Sequence, residues 1–424
     1  MSAPPKPLTL PQLGAVVAGN ALEFYDFLTF SFFAVQIGTV FFPGHDATGR
    51  LLLTLATFGV GFLTRPLGGA VIGPLGDAYG RKPAMLFSFG LMGLSIVGLA
   101  LTPSYASIGI AAPVLVVLFR LLQGFALGGE VGPTTAFLME AAPPHRRGLY
   151  VSLQHATQYF STLCAGLVGL ALANWLSPQA LGAWGWRVAF LLGAAVVPFA
   201  LVMRKNLPET LPGILPEIFQ VQTQRQRLSR PQLWLGLLGL CMLASNTITT
   251  YIMNYMGTFG MHSLGIPASK AFGATVAVGV CATCGALLSG WSSDRWGRKP
   301  VMIGGTLLLL LLGLPCFAVM SQMKSLPALV VGSGLMALAT GLLGPAILAG
   351  LSESLPTSLR AGSLGIIYAL AISCFGGSAQ FVVTWLIQIT GSPLAPAWYM
   401  SGALLLGLAG MIGMRETAPV KLGY

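Results

Sequence analysis

Five charged residues stand within long apolar runs: Glu23, Asp26, Arg65, Arg120 and Glu130. Charge placed among apolar residues is costly, so such positions default to function. A carboxylate stripped of water can take a proton on one side of a barrier and release it on the other. Glu23, Asp26 and Glu130 are therefore candidates for proton coupling. A permanent ion pair with Arg65 or Arg120 is the structural alternative for the first two. Glu130, after two glycines, is either a second proton site or a partner of Arg120. A guanidinium keeps its charge, and its planar fork fits a carboxylate. Arg120 and Arg65 are thus candidates for holding an anionic substrate, although Arg65, followed by Pro66, has pairing with the first span as its alternative.

Neutral polar residues complete the candidate binding set. Asn20 precedes Glu23 by three residues and Asp26 by six, a spacing that keeps all three on one broad helix face. His155 falls in one run with Gln154, Gln158 and Tyr159 close by, and Asn246, Thr250, Tyr251 and Asn254 form a polar stripe in another. Tyr368 and Gln380 are isolated polar positions in a third. Each of these is either a substrate contact or a hydrogen-bonding fastener between helices. The chemistry of an enzyme is not visible. There is no Walker loop, no nucleophile–base pair and no metal cluster. Cys281-x-x-Cys284 lacks a second ligand pair and reads as core packing. No enzymatic activity and no cofactor are expected, and the coupling ion is the proton, with sodium as the open alternative.

The elements that must position these residues follow from composition. Of the 424 residues, 55% are hydrophobic and only 8% charged, against roughly 25% charged in a soluble domain. Apolar runs of about 20 residues recur, each long enough to cross a bilayer as a helix. Twelve spans are predicted, at approximately 13–36, 50–75, 83–102, 108–139, 148–174 and 187–204, then 232–258, 270–292, 300–320, 326–352, 360–388 and 396–414. The fold class is all-α membrane protein. Residues 1–204 form one six-helix bundle, 205–231 a cytoplasmic linker and 232–424 a second bundle. Lys and Arg crowd one side, as at Arg81, Lys82, Arg146, Arg147, Arg298, Lys299 and Arg360. The other side receives only Arg50, Arg187, Lys270 and Lys324. That bias places both termini in the cytoplasm. The net charge of +11 is then a signal of topology, and no nucleic acid partner is implied. Residues 1–12 are polar and Pro-rich, so the first apolar run is expected to be retained.

The two halves repeat. Gly73-Pro-Leu-Gly-Asp77-Ala-Tyr-Gly80-Arg81-Lys82-Pro83 returns 217 residues later as Gly290-Trp-Ser-Ser-Asp294-Arg-Trp-Gly297-Arg298-Lys299-Pro300. Glu140 through Arg147-Gly148 is echoed by Glu353 through Arg360-Ala-Gly362, and Glu209-Thr210 by Glu416-Thr417. A parallel repeat of six-helix halves is a transporter architecture, with the site between the halves near the midplane. In the repeated turns, Asp77 and Asp294 sit where a carboxylate caps a neighbouring helix N-terminus and pairs with Arg81 or Arg298. Glu140 and Glu353 extend each network. Ordinary loop anchoring is the alternative role.

The chain resembles the major facilitator superfamily. The paired Gly-x-x-x-Asp-x-x-Gly-Arg-Lys turns carry the likeness, as does Arg120-Leu-Leu-Gln-Gly124 running on through Glu130 and Glu140 to Arg147. Gly19-Asn20-x-x-Glu23-x-x-Asp26-Phe27, Phe41-Phe42-Pro43, Arg65-Pro66-x-Gly68-Gly69 and Trp184-Gly-Trp-Arg187 narrow it to the metabolite:proton symporter family. Thr249-Thr250-Tyr251, Met261-His262 and Phe375-Gly376-Gly377-Ser378-Ala379 look more like its di- and tricarboxylate carriers. The resemblance implies proton-coupled symport of a small organic anion, such as citrate or 2-oxoglutarate, by alternating access. It also implies gating by Asp77, Arg81, Glu140, Arg147, Asp294, Arg298 and Glu353. Uptake of a zwitterionic or neutral solute such as proline, betaine or shikimate is the alternative, and a nontransporting sensor a weaker one. The expected setting is the lipid bilayer of a bacterial inner membrane, as a multi-pass monomer.

Overall fold

The computed structural model describes residues 20–21, 24–79, 81–128, 135, 138–139, 142–205, 230–355 and 360–422. For 73–79, 81–86, 196–205, 231, 360–362 and 422 it describes the backbone alone. The described residues are helical almost throughout, and no strand occurs among them. The described parts of the twelve predicted stretches are almost wholly helical. Spans one to six are Phe24–Phe32 with Ala34–Phe41, Ala47–Val60 with Arg65–Tyr79, Arg81–Leu101, Ala111–Leu127, Arg147–Trp175 and Trp186–Lys205. Span seven is Arg230–Asn254, followed by a short helix, Met256–His262. Spans eight to ten are Ala268–Trp296, Arg298–Met323 and Leu326–Ser354. Span eleven runs Arg360–Ala371, Ile372–Gly376 and Gly377–Thr390, and span twelve is Ala395–Gly413. Among the described residues, eight helices are by themselves long and apolar enough to cross a membrane, and the bent pair of span one makes a ninth.

Apolar runs predict straight helices; three of these spans are not straight. Span one bends by 68° at Phe33, whose buried ring packs on Phe272 of span eight at 5.0 Å. Span two tightens at 61–64, where the amides of Phe62, Leu63 and Arg65 each donate three residues back, the short-range bonding of a 3₁₀ turn. Its Gly61 lies against span four so closely that a Cβ on Gly124 would overlap the Gly61 carbonyl. Only a pair of glycines permits that approach, and it brings Arg65 and Arg120 to the same level. In span eleven, Ile372–Gly376 forms a π-turn, a feature that frequently marks functional sites.

The halves meet along two seams. Spans five and eight run antiparallel in contact over their length: Ser152 meets Gly290 at one end and Asn174 Nδ2 donates to the Ser269 carbonyl at 3.3 Å at the other. Spans two and eleven cross at Gly59 and Gly377, where a Cβ on Gly377 would come within 2.8 Å of the Gly59 carbonyl oxygen. Ser373 Oγ donates to the Phe62 carbonyl at 3.1 Å beside this crossing.

Candidate functional site

Between the seams lies a small cavity of about 30 Å³. Its polar lining comes from span five (His155, Gln158, Tyr159, Thr162), span seven (Asn246, Thr247, Thr250, Tyr251, Asn254) and Tyr368 of span eleven. Of the candidate binding residues, His155, Gln158, Thr250, Tyr251, Asn254 and Tyr368 are therefore brought together. Tyr159, Thr162 and Thr247 join them. Tyr159 and Thr162 continue the i, i+3/i+4 face of His155 and Gln158, which is the signal that identifies them. Several lining atoms are buried without a hydrogen-bond partner among the described residues, including His155 Nδ1, Gln158 Nε2 and Asn246 Oδ1. Buried polar atoms usually find partners, and these atoms are the part of the lining able to meet a polar ligand or water. The space is little more than that of one or two waters.

The arginines lie outside this lining. Arg120 is fully buried, with Nη1 donating to Gln123 Oε1 at 2.5 Å and Nη2 to the Phe58 carbonyl at 3.2 Å. Its guanidinium stands over the rings of Phe27, Phe30 and Phe58 at 4.3, 4.7 and 4.9 Å. Arg65 stands over Phe27 and Phe62 at 4.4 and 4.5 Å. Two like charges thus share one ring, held by its quadrupole. Among the described residues no carboxylate lies within ion-pair distance of Arg120.

Asp26 is 1% exposed and lies against Gly193 of span six, with Oδ1 lacking a hydrogen-bond partner among the described residues. Glu23, Glu130 and Glu140 lie outside the described residues, as do the side chains of Asp77 and Arg81. Asn20 and Gln380 are displaced from the cavity and serve as fasteners. Asn20 Nδ2 donates to the Gln154 carbonyl at 3.0 Å and to Thr157 Oγ1 at 2.9 Å. Gln380 accepts from Ser31 Oγ at 2.6 Å and donates to the Tyr251 carbonyl at 3.2 Å. Neither lines the cavity, and each bonds across helices, where polar groups in apolar packing satisfy one another. The sulfur of Cys281 packs against Gly334, and among the described residues no cluster of three ligands for a metal occurs.

At the end of the bundle rich in Lys and Arg, the second copy of the repeated turn forms a network. Asp294 accepts from the amides of Gly148 and Leu149 at 2.8 and 2.9 Å, capping span five from the opposite half. Arg298 Nη1 meets Asp294 at 2.7 Å, while its Nε and Nη2 fork onto Glu353 at 3.1 and 2.9 Å. Arg147 stands at the start of span five, and its Nε has no hydrogen-bond partner among the described residues. Glu416, outside the candidate set, accepts from the amides of Arg298, Lys299, Thr417 and Ala418. Burial raises the Glu416 carboxyl, and these four donors outweigh it, holding the group below the ordinary carboxylate range. Its place in the repeated Glu-Thr pair was the available sequence signal.

At the other end, Thr48 Oγ1 and His262 Nε2 bridge the halves at 3.3 Å. Burial lowers the His262 imidazole below its ordinary value, and the charge of Asp46 opposes that.

A helical bundle of two halves enclosing a polar cavity, with closing contacts at both ends, defines a membrane transporter. The family model of the Major Facilitator Superfamily matches residues 23–289, and that of sugar (and other) transporters matches 226–416. The chain belongs to the major facilitator superfamily. It is 34% identical to a citrate-proton symporter of Klebsiella pneumoniae, over 96% of this chain and 92% of that one. It is 33% identical to the alpha-ketoglutarate permease of Escherichia coli strain K12, over 91% and 88%. It is 31% identical to a proline/betaine transporter of Salmonella typhimurium, over 96% and 84%. In fold it is similar to the xylose transporter XylE of E. coli in a partially occluded inward-open conformation, with TM-score 0.75 and 19% identity over 96% and 98% of the two chains.

Proposed function

We propose that this transporter takes up a small di- or tricarboxylate, of the size of citrate or 2-oxoglutarate, together with protons. The observation that carries the reading is the pair of guanidiniums on Phe27, one of them with no carboxylate at ion-pair distance among the described residues. A dianion or trianion offers a counter-charge to Arg120, and the forked geometry suits carboxylates. The names of the citrate and alpha-ketoglutarate relatives support the same class. Asp26, buried beside Gly193 with Oδ1 lacking a donor among the described residues, carries the proton, and Glu23 and Glu130 are its candidate companions. Symported protons also offset the electrical cost of moving an anion into a negative interior, about 2.3 kcal/mol per charge per 100 mV.

Residues 1–204 and 232–424 act as the two rocking units, joined through 205–231. The network of Asp294, Arg298 and Glu353 holds the cytoplasmic ends shut, with Asp77, Arg81, Glu140 and Arg147 as its counterparts around the first copy. The protein works as a monomer in a bacterial inner membrane with both termini cytoplasmic, and no organic cofactor takes part.

A second reading is uptake of a zwitterionic or neutral solute. The cavity lining favours it, because its polar groups are neutral, and the proline/betaine relative has a matching name. Purified protein in proteoliposomes separates the two. An inward proton gradient is expected to drive accumulation of labelled citrate or 2-oxoglutarate. Accumulation of proline or betaine in their place would move the assignment to the second reading.

A further inference from the structure

Tyr251 of the cavity lining and the two arginines are close neighbours, and neither arginine lines the cavity. What stands between them is aromatic. Phe58 and Phe62 touch edge to face, with centroids 5.3 Å apart. On one side they pack on the guanidiniums of Arg120 and Arg65 at 4.9 and 4.5 Å. On the other they meet Tyr251 at 6.1 and 5.6 Å, and Tyr251 lines the cavity. Phe58, Phe62 and Arg120 are each fully buried. Among the described residues, the cavity and the two guanidiniums are therefore linked only through rings contributed by span two of the first half and span seven of the second.

Span eleven grips this layer from behind. A Cβ on Gly376, the last residue of the π-turn, would lie 2.9 Å from Tyr251 Cε2 and 3.2 Å from Phe62 Cε1. One turn on, Gln380 ties the Tyr251 carbonyl to Ser31 of span one. The crossing of Gly59 and Gly377 sets the spacing of spans two and eleven at this level. Rocking of the two halves, as proposed above, would carry spans seven and eleven away from span two and part the Tyr251–Phe62 contact.

We propose that Phe58, Phe62 and Tyr251 form a partition that shuts Arg65 and Arg120 away from the cavity in the closed protein, and that movement of span eleven opens it to admit a carboxylate. This rests on the anion reading above. It makes the three rings positioning residues for selectivity. A neutral solute has hydrogen-bonding partners in the antechamber alone. A carboxylate gains its charged partners only when the rings separate, so charge recognition is tied to the conformational change. In the closed state the guanidiniums exchange water for ring faces, which limits the cost of burying them.

The test is arginine modification by phenylglyoxal, read residue by residue by mass spectrometry on full-length protein in nanodiscs without substrate. Wild-type Arg120 is expected to label at least about tenfold more slowly than the exposed Arg415. Phe62→Ala is expected to raise the Arg120 rate about tenfold, with Arg298, buried in the network at the other level, unchanged. Tyr251→Ala attacks the partition from the opposite half and is expected to act alike, so failure of one variant to fold leaves the test standing. A general loosening would raise Arg298 as well and would count against the proposal. Wild-type Arg120 labelling as fast as Arg415 would overturn it, as would two folded variants that leave the Arg120 rate unchanged. Citrate is the separate arm. Protection of Arg120 by citrate in Phe62→Ala supports a carboxylate entering the cationic chamber. If citrate neither protects nor stabilises any form while the ring variants still expose Arg120, the partition stands and the carboxylate assignment falls.

Discussion

Arg120 sits in a box of rings with two neutral acceptors, and that environment decides what its replacement should do. Arg120→Lys keeps the charge but loses the fork and the broad stacking face. Binding of citrate, measured by thermal stabilisation, is expected to weaken by about tenfold or more, the scale of one lost charge-assisted hydrogen bond. Binding unchanged in Arg120→Lys would show that the fork is not used. Asp26 calls for a different assay. Asp26→Asn is close to isosteric in its packing against Gly193, so counterflow exchange of substrate should persist while accumulation driven by a proton gradient is lost. Retained gradient-driven accumulation would remove Asp26 from the coupling step and turn attention to Glu23 and Glu130.

Among elements, span nine is held at its start by Glu416. The four amides it accepts include those of Arg298 and Lys299, donors that no preceding helical turn satisfies. Its carboxyl is lower in the folded protein than in the unfolded chain. The stabilisation is therefore fully present above the ordinary carboxylate value and is lost as pH falls through the folded value. Glu416→Gln should lower stability at neutral pH by roughly 1 kcal/mol after solvent screening, and the difference from wild type should shrink on acidification. Melting curves across pH 3 to pH 7, at about one-unit intervals, check both statements. The crossing of spans two and four gives a sharper test. Gly124→Ala would force a methyl into the Gly61 backbone, where no flexible side chain can yield, and folding yield or melting temperature should drop severely. Near-normal behaviour would mean that the two helices separate more freely than this packing allows.

For the whole molecule, the decisive quantity is a cavity of about 30 Å³. A tricarboxylate does not fit, so binding requires the halves to part at one end. Contacts at both ends are closed: Asp294 on span five at one, Thr48 with His262 and Asn174 with Ser269 at the other. Asp294→Asn removes the charge from one end only. It should favour opening there, so a cysteine pair placed at Asn174 and Ser269 should cross-link more readily in that variant than in the otherwise wild-type background. Equal cross-linking would separate the Asp294 contact from the state equilibrium. The His262 contact adds a pH term of opposite placement. Its imidazole is lowered in the folded protein, so the contact is intact at neutral pH and is weakened as pH falls below the ordinary imidazole value. The same cross-link, with each yield normalised to an exposed cysteine pair at the same pH because thiols react as thiolates, should then form less readily at acid pH than at neutral pH, and His262→Gln should remove the normalised difference.

How much of this was legible follows from the physics of each feature. The helical class, the repeat and the charged turns are local or periodic properties, and they can be read from composition and repetition. Asp294, Arg298 and Glu353 could be paired on paper because a repeated motif carries its geometry with it. The polar faces of spans five and seven were readable from helical spacing. Tertiary structure alone decided which polar residues face the cavity and which fasten helices. Asn20 and Gln380 have the same residue chemistry in either role, and only their distances to Gln154, Thr157, Ser31 and Tyr251 distinguish the two. It also decided that the arginines are screened. Phe27, Phe30, Phe58 and Phe62 look like ordinary apolar positions in sequence, and their ring faces acquire meaning only when spans one, two and four close around two guanidiniums. Sequence carries the period of a helix, whereas the contact between two helices depends on their rotation and separation, which are set by the packing of the whole chain.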